Sequence, residues 1–347
     1  MFLSIVPVIA ATATLSLTPL IQRLGLQWNY IDQPGKRKIH QQSIVRIGGI
    51  AIFLGTLLAI ILMLLSNYFD NSSMTSLSPI IGILLGATGF FGIGLIDDMF
   101  QLSPFIRLFL QGVVACLSWA LGVRVEILPV PLIGVVPTGI FSLPMTFLWL
   151  AGVANAINWL DGLDGLAGGV SAIATLALSL ICWHYPPLAL LALALAGSLV
   201  GFLYYNVNPA RIFMGDGGSY FIGFTLAAIG AVGLMQTPTF AVAMTPFWVL
   251  AVPIADMVRV IASRLWDKKS PFFPDQRHLH HKLLQAKLSV RAAVRLIWTL
   301  TAWFATWAML MLAIPHSPIA LCFTSCLLVI TSFPLWRVLL PTAAQFR

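Results

Sequence analysis

The stretch PLALLALALAGSLVGFLYY at residues 187–205 contains no charged side chain and has the length, about 20 residues, that a helix needs to cross a bilayer. Similar stretches recur along the whole chain. Of its 347 residues, 59% are hydrophobic and 9% are charged, and the mean hydropathy is +0.94. Soluble domains carry about a quarter charged residues. The composition therefore excludes a water-soluble globular protein and predicts an all-α polytopic membrane protein.

About eleven transmembrane helices are predicted from apolar stretches of spanning length. Their bounds are 2–21, 47–66, 78–96, 105–122, 139–157, 166–183, 187–205, 218–235, 240–261, 293–314 and 317–336. The sequence contains no internal repeat, low-complexity tract or linker, so a single domain covering 1–347 is expected.

The basic residues predict the orientation of the chain. With the N-terminus outside, nearly every Lys and Arg lies in a cytosolic connection, as the positive-inside rule requires. Arg124 is the exception, in an outer segment whose alternating pattern and Pro/Gly punctuation predict a small periplasmic hairpin. The net charge of +8 does not indicate nucleic-acid binding, because the bases are few, dispersed and separated by apolar runs.

Carboxylates lie at the predicted cytosolic ends of the helices, where a chain this apolar retains them only with partners or a function. Asp97 and Asp98 end the third span, at the negative end of the helix dipole, and repel each other. A divalent cation that bridges them to an anionic substrate would relieve this repulsion, and oxygen ligands at a phosphate site favour Mg²⁺. The alternative is a hydrated pair that ends a helix.

The segment NAINWLDGLDGLAGG (155–169) follows the fifth span and places Asn158, Asp161 and Asp164 at intervals of three residues, which aligns them on one helical face. A calcium loop does not fit, because apolar residues occupy the ligand positions. Asp164 could also simply cap the sixth span. The segment therefore predicts a polar wall, with capping as an interpretation that can hold simultaneously.

The segment YYNVNPARIFMGDGGSYFIG (204–223) leads through a glycine-rich turn into the eighth span. Such a turn is expected to present backbone N–H groups to phosphate. Asp216 could instead be only the helix N-cap. No GK[ST] follows, and the GxGxxG spacing is absent, so neither a P-loop nor a dinucleotide fold is predicted.

The loop KKSPFFPDQRHLHHKLLQ (268–285) gathers three histidines among basic residues. Zinc binding lacks an obvious fourth ligand, whereas imidazoles beside Lys and Arg suit a diphosphate. The basic loop at 32–49 also faces the predicted cytosol, where membrane orientation alone explains its bases equally well. Asp256 and Arg259, three residues apart, are interpreted as an internal ion pair.

Together these segments resemble the polyprenyl-phosphate N-acetylhexosamine-1-phosphate transferases. The resemblance rests on five motifs in order: D-x-P-x-x-R-K-x-H at 32–40, LIDD at 95–98, NxxNxxDGLDGL at 155–166, YN…P…FMGDxGS at 205–219 and PD…HLHH at 274–281. The HLHH form resembles the N-acetylglucosamine branch rather than the muramyl-pentapeptide branch, which usually has three adjacent histidines. The chain departs from the family pattern at Gln276, where relatives commonly have Arg. This departure leaves the role of Arg277 open.

The resemblance implies transfer of N-acetylglucosamine-1-phosphate from UDP-N-acetylglucosamine to undecaprenyl phosphate, with release of UMP, at the cytosolic side of a bacterial inner membrane. It implies Mg²⁺, with Mn²⁺ as an alternative, bound by Asp216 and Asp98. Asp97, Asp98 and His280 would be the catalytic residues. Asn158, Asp161, Asp164, Asn206, Phe213, Arg277, His278, His281, Lys38 and His40 would bind the substrates, with Phe213 stacking on uridine.

Two mechanisms remain open at this level. Asp97 could attack phosphorus and form a covalent intermediate, or it could assist direct attack by the lipid phosphate. A muramyl-pentapeptide transferase and a transporter of lipid-linked sugars are the alternative functions. A transporter is disfavoured because its ionisable groups would lie near the membrane midplane. Whether the protein is a homodimer is also left open.

Overall fold

The computed structural model describes residues 2–32, 43–65, 77–272 and 276–313. The chain forms an all-α bundle with two small β-ladders. The helices are α1 (Phe2–Gln27), α2 (Gly49–Leu65), α3 (Leu77–Phe100), α4 (Pro104–Ala120), α5 (Ser142–Leu160), α6 (Leu166–Ile181), α7 (Pro186–Asn206), α8 (Gly215–Gly233), α9 (Phe240–Val249), α10 (Ala251–Trp266), α11 (Leu279–Gln285) and α12 (Val290–Ala313).

The helices agree with a polytopic membrane protein. In the described ranges, six helices are long and apolar enough to cross a bilayer, or seven if the bent pair α9–α10 counts as one span. α2 and α4 are apolar but shorter, with 17 residues each. The predicted spans from 2–21 through 293–314 each coincide with a helix or with the bent pair, whereas 317–336 lies outside the described residues. The total of eleven stays a prediction.

The predicted span at 240–261 is not one continuous helix. α9 and α10 meet at Leu250 with a bend of 73°. Pro253 explains the break, because it has no N–H group and its ring clashes with the carbonyl group four residues earlier, that of Val249. The apolar periodicity continues through the bend, so hydropathy alone could not detect it.

α8 is the centre of the bundle and is buried along nearly its whole length. α2, α3 and α5 pack against it, and α1 packs against α2 and α7. Glycines permit the closest approaches: a Cβ atom at Gly94 of α3 would lie 2.6 Å from the backbone nitrogen of Gly217, and one at Gly223 would lie 2.6 Å from Cα of Ala154. Small residues commonly allow such contacts between membrane helices.

The predicted hairpin is confirmed. β3 (Ile127–Val130) pairs antiparallel with β4 (Gly134–Pro137), and Ile127 pairs with Pro137 at its base. The Ile127 N–H group donates to the carbonyl oxygen of Met235, beyond the C-terminal end of α8. The hairpin therefore lies at the end of the bundle opposite the N-terminus of α8. Near that N-terminus, β1 (Ile31–Asp32) pairs with β2 (Ile44–Val45).

Candidate active site

Asp98 joins the end of α3 to the beginning of α8. Its carboxylate accepts hydrogen bonds from the backbone N–H groups of Asp216 (3.1 Å) and Gly217 (3.0 Å), and from the Arg46 guanidinium (3.0 Å). A carboxylate at a helix N-terminus is stabilised by the helix dipole. Two motifs far apart in sequence therefore meet at one end of the bundle.

The expectation that the first N–H groups of α8 face a phosphate is wrong for Asp216 and Gly217, because Asp98 already accepts from both. Gly215 allows this arrangement. It has φ +71°, and a Cβ atom there would lie 2.6 Å from Oδ2 of Asp98. Metal binding by Asp98 stays a prediction; its oxygens accept three hydrogen bonds from the protein itself.

Asp97 lies at the same end and is held by the α3–α4 connection. Oδ1 accepts from the Leu102 N–H group (2.7 Å), and Oδ2 accepts from the Arg107 guanidinium (2.5 Å). Sequence reasoning missed Arg107. The available signal was its isolation, since it is the only basic residue between Arg46 and Arg124.

Asp216 and Asp161 accept fewer hydrogen bonds than the neighbouring carboxylates Asp97, Asp98 and Asp164. Asn158 donates to Oδ1 of Asp216 (2.6 Å) and to Oγ of Ser219 (3.0 Å), which orients Asp216. Among the described residues, none donates a hydrogen bond to the Asp161 carboxylate. Burial, together with the charges of Asp216 and Asp98, raises the pKa of Asp161 to about 8. Burial and the charge of Asp98 raise the pKa of Asp216, which precedes the predicted span 218–235, to about 7.

These carboxylates fit a hard divalent cation. Within the described ranges, no three Asp, Glu, His or Cys side chains form a ready metal cluster. Mg²⁺ does not require one, because it is usually held by one or two carboxylates together with water and substrate phosphates. Asp161 and Asp216 are half-buried carboxylates whose ionised forms are destabilised by neighbouring charges, and a cation would stabilise them.

The residues predicted to bind uridine surround the α7–α8 loop. Oδ2 of Asp164 accepts from the side chain of Asn208 (2.9 Å) and from the Ala210 N–H group (3.0 Å). Asn206 is buried; it accepts from Gly165 N–H (3.1 Å) and donates to the carbonyl oxygen of Ile212 (2.9 Å). Asp164 and Asn206 therefore hold the loop in place.

Phe213 follows in the same loop, and its backbone is tied to the segment before α2. Its N–H group donates to the carbonyl oxygen of Val45 (2.8 Å), and its own carbonyl oxygen accepts from Gly48 N–H (2.9 Å). The structure therefore brings Phe213, Asn206 and Asp164 together. Their contacts with uridine stay predictions.

The three loop histidines form a histidine stack, with two nearly parallel rings and a third ring tilted by 46°, beside the acidic residues. The rings of His278 and His280 are nearly parallel, with centroids 5.7 Å apart, and His281 lies 4.3 Å from His280. His280 faces Gly162, where a Cβ atom would lie 2.7 Å from Cε1 of the ring. Burial and the charges of its histidine neighbours lower the pKa of His280 to about 3, so its imidazole is neutral at pH 7.

Asp256 organises this loop. The expected ion pair with Arg259 is confirmed at 2.7 Å. Sequence reasoning missed two further contacts of the same carboxylate, with Nδ1 of His278 (2.8 Å) and with Leu279 N–H (2.8 Å). Asp256 and His278 are 22 residues apart, and the end of a helix and a loop lie between them. No periodic pattern in the sequence therefore indicates this contact.

Arg277 is directed to the end of α10. Its guanidinium donates to Asp267 (2.5 Å) and to Oγ of Ser263 (2.5 Å). A substrate contact for Arg277 stays a prediction. Lys38 and His40 lie outside the described residues.

The fold and this site define an integral membrane protein. At one end of its bundle it carries the histidine stack and an acidic centre, which consists of Asp97, Asp98, Asp161 and Asp216. The sequence profile described as glycosyl transferase family 4 matches residues 80–235. A probable undecaprenyl-phosphate N-acetylglucosaminyl 1-phosphate transferase of Bacillus subtilis is 33% identical over 294 residues, which cover 84% of this chain and 80% of that protein.

Two further relatives agree. A decaprenyl-phosphate N-acetylglucosaminephosphotransferase of Mycobacterium leprae is 33% identical over 326 residues (85% of this chain, 80% of the relative). An undecaprenyl-phosphate alpha-N-acetylglucosaminyl 1-phosphate transferase of Salmonella typhi is 32% identical over 290 residues (80% and 75%). The chain belongs to the polyprenyl-phosphate N-acetylhexosamine-1-phosphate transferases and is a membrane-embedded phosphotransferase. The family predicted from the motifs is confirmed.

Proposed function

We propose that the protein transfers N-acetylglucosamine-1-phosphate from UDP-N-acetylglucosamine to undecaprenyl phosphate at the cytosolic face of a bacterial inner membrane. UMP leaves, and a diphosphate-linked lipid forms that begins a cell-envelope polysaccharide. The names of the relatives support this donor and acceptor. The distribution of Lys and Arg supports the orientation, because the end of the bundle that carries the acidic centre is also the basic end.

The observation that carries the proposal is the convergence of four separate motifs. Asp98 binds the backbone of α8, Asn158 binds Asp216, and His280 lies against Gly162. Phosphoryl transfer between two substrates is catalysed mainly by alignment and by neutralisation of charge, so its machinery must be brought to one place.

Mg²⁺ would be held by Asp216 and Asp161. When bound, it supplies Lewis-acid stabilisation of charge on the phosphates. Asn158 holds Asp216 in position, and Asp98 fixes the first turn of α8, which carries Asp216. His280 is neutral and can donate one hydrogen bond to a phosphate or sugar oxygen without adding charge.

For Asp97 we favour a positioning role over nucleophilic attack. Its two oxygens accept from Leu102 N–H and from Arg107, which lowers their nucleophilicity. The lipid phosphate is already mostly ionised at pH 7, since the second pKa of a phosphate monoester is about 6. Its oxygen would form the new bond to the sugar-bearing phosphorus, and the bond to the UMP oxygen would break with its electron pair on UMP.

The experiment uses detergent-purified protein with undecaprenyl phosphate, a panel of UDP-sugars that includes the muramyl-pentapeptide donor, and a direct assay of UMP release. We expect turnover with UDP-N-acetylglucosamine, its loss in EDTA, and its recovery with Mg²⁺. Asp216→Asn and Asp161→Asn should each lower kcat by at least about 100-fold. Glu126→Gln is the matched control, because it neutralises a carboxylate at the opposite end of the bundle.

Several outcomes would contradict the proposal. Turnover that survives chelation would exclude the cation, and full activity of both Asp variants would exclude this centre. Preference for the muramyl-pentapeptide donor would change the substrate. If lipid-linked sugar crossed a membrane without any UMP release, the protein would be a transporter instead.

A further inference from the structure

We propose that Asp256 is a positioning residue for the transfer reaction, which acts through His278 on the histidine stack. The inference rests on the function proposed above and adds to it a residue from α10, outside the five motifs. Asp256 is buried, with 6% of its surface exposed.

All of the Asp256 contacts lead to the histidine loop. Oδ2 is 2.8 Å from Nδ1 of His278, and Oδ1 accepts from Leu279 N–H at 2.8 Å. Arg259 donates both to Oδ1 of Asp256 (2.7 Å) and to the carbonyl oxygen of Arg277 (2.7 Å). Residues 278 and 279 are thereby fastened to α10 through Asp256, and residue 277 is held next to them through Arg259.

The contact at Nδ1 selects one tautomer of His278. An ionised carboxylate only accepts hydrogen bonds, so the ring proton must lie on Nδ1. Nε2 then remains as the ring nitrogen available to a ligand. A carboxylate behind an imidazole fixes its orientation and increases its basicity, as it does for histidines that bind metals.

The ring orientation is transmitted to His280. The His278 ring makes a T-shaped contact with Trp159, with centroids 5.7 Å apart, and stacks on the parallel ring of His280. His280 in turn contacts Gly162, in the loop that carries Asp161. Rotation of His278 would therefore displace the ring that lies against the acidic centre.

Asp256→Asn is the informative variant, because it keeps the size of the side chain and reverses the contact. Its oxygen can still accept from Leu279 N–H or Arg259, but its amide group donates to Nδ1 and moves the ring proton to Nε2. We expect kcat/KM to fall about 10–100-fold, mainly through kcat, as is typical when such a supporting partner is removed. Val260→Ala, at a fully buried position on the same helix, is the control for loss of packing.

A double-mutant cycle separates positioning from a general structural role. If Asp256 acts through His278, then Asp256→Asn should cost less than about twofold in a His278→Ala background. The inference would be overturned if the reductions in kcat/KM of the two single variants multiplied in the double variant. It would also be overturned if kcat/KM of Asp256→Asn lay within threefold of the wild-type value. A melting temperature close to that of Val260→Ala shows that the variant is folded.

A second measurement uses only protein with native Asp256. NMR spectra of ¹⁵N-histidine-labelled wild type and His278→Ala are compared, and the signals missing from the variant are assigned to His278. In the wild type these signals should have the chemical shifts of the Nδ1–H tautomer. An Nε2–H tautomer would refute the inference even if Asp256→Asn does not fold. Absence of UMP release from the wild type would refute the proposed function, whereas these spectra would still test the contact.

Discussion

The contact between α3 and α8 provides a sharp test of the site. A Cβ atom at Gly94 would lie 2.6 Å from the backbone nitrogen of Gly217 and closer still to the carbonyl oxygen of Asp216, whereas ordinary van der Waals contact begins at 3.4 Å. Backbone atoms cannot rotate away, so Gly94→Ala must separate the helices by about 1 Å. The Asp98 hydrogen bonds of 3.0 and 3.1 Å would then exceed hydrogen-bonding distance.

A displacement of about 1 Å in a positioning element costs roughly 100-fold in rate, or about 2.7 kcal/mol of activation free energy. We expect Gly94→Ala to lose that much kcat in the UMP-release assay. Gly92→Ala is the matched control. Gly92 lies on the same helix as Gly94, and a Cβ atom at Gly92 would have no neighbouring atom within 4 Å. Both variants gain the same helix propensity, about 1 kcal/mol. Equal activity of the two, with equal melting temperatures, would refute the proposed link between helix spacing and the site.

Gly162→Ala should lower kcat about tenfold, because the added methyl group displaces His280. Gly152→Ala is the control and should leave kcat unchanged, since the atom nearest to its Cβ is 4.0 Å away. Equal kcat values for the two variants would show that the reaction does not need His280 in its present place. Asp161 binds a proton in the folded state up to a pKa of about 8 but releases it near 4 when unfolded. In EDTA, the melting temperature should therefore fall as pH rises from 5 to 9, and Asp161→Asn should weaken this dependence. An unchanged slope would contradict the assigned pKa.

The sequence was sufficient to predict the described helices, apart from the bend at Leu250, and to select several of the residues that meet at one end of the bundle. Apolar length predicts spans because a bilayer requires continuous hydrophobic segments, and the hairpin at 127–137 follows from alternation and Pro/Gly punctuation. Asp98, Asn158 and Asp216 could be selected because carboxylates and amides are costly in so apolar a chain. That these three residues lie near one another could also be predicted, because each lies at the same end of the bundle as the others.

The individual partners could not be predicted in this way. Whether the N–H groups of α8 face a ligand or Asp98 depends on how closely α3 approaches, which the spacing of residues does not determine. Asp256 was interpreted from its nearest base, Arg259, because local pairs are visible in a sequence and loop contacts are not. The bend at Leu250 was missed because the sequence stays apolar, with no charged residue, from Phe240 to Ala255, on both sides of the bend.

The capped start of α8 has a consequence for inhibitors. A compound that imitates the diphosphate of the proposed donor with a bare anion would find two of the N–H groups at this helix terminus occupied by Asp98 and would approach several carboxylates. A neutral or cationic group that donates to Asp161 suits the electrostatics better. Medicinal chemistry on this protein should therefore begin from uncharged diphosphate replacements.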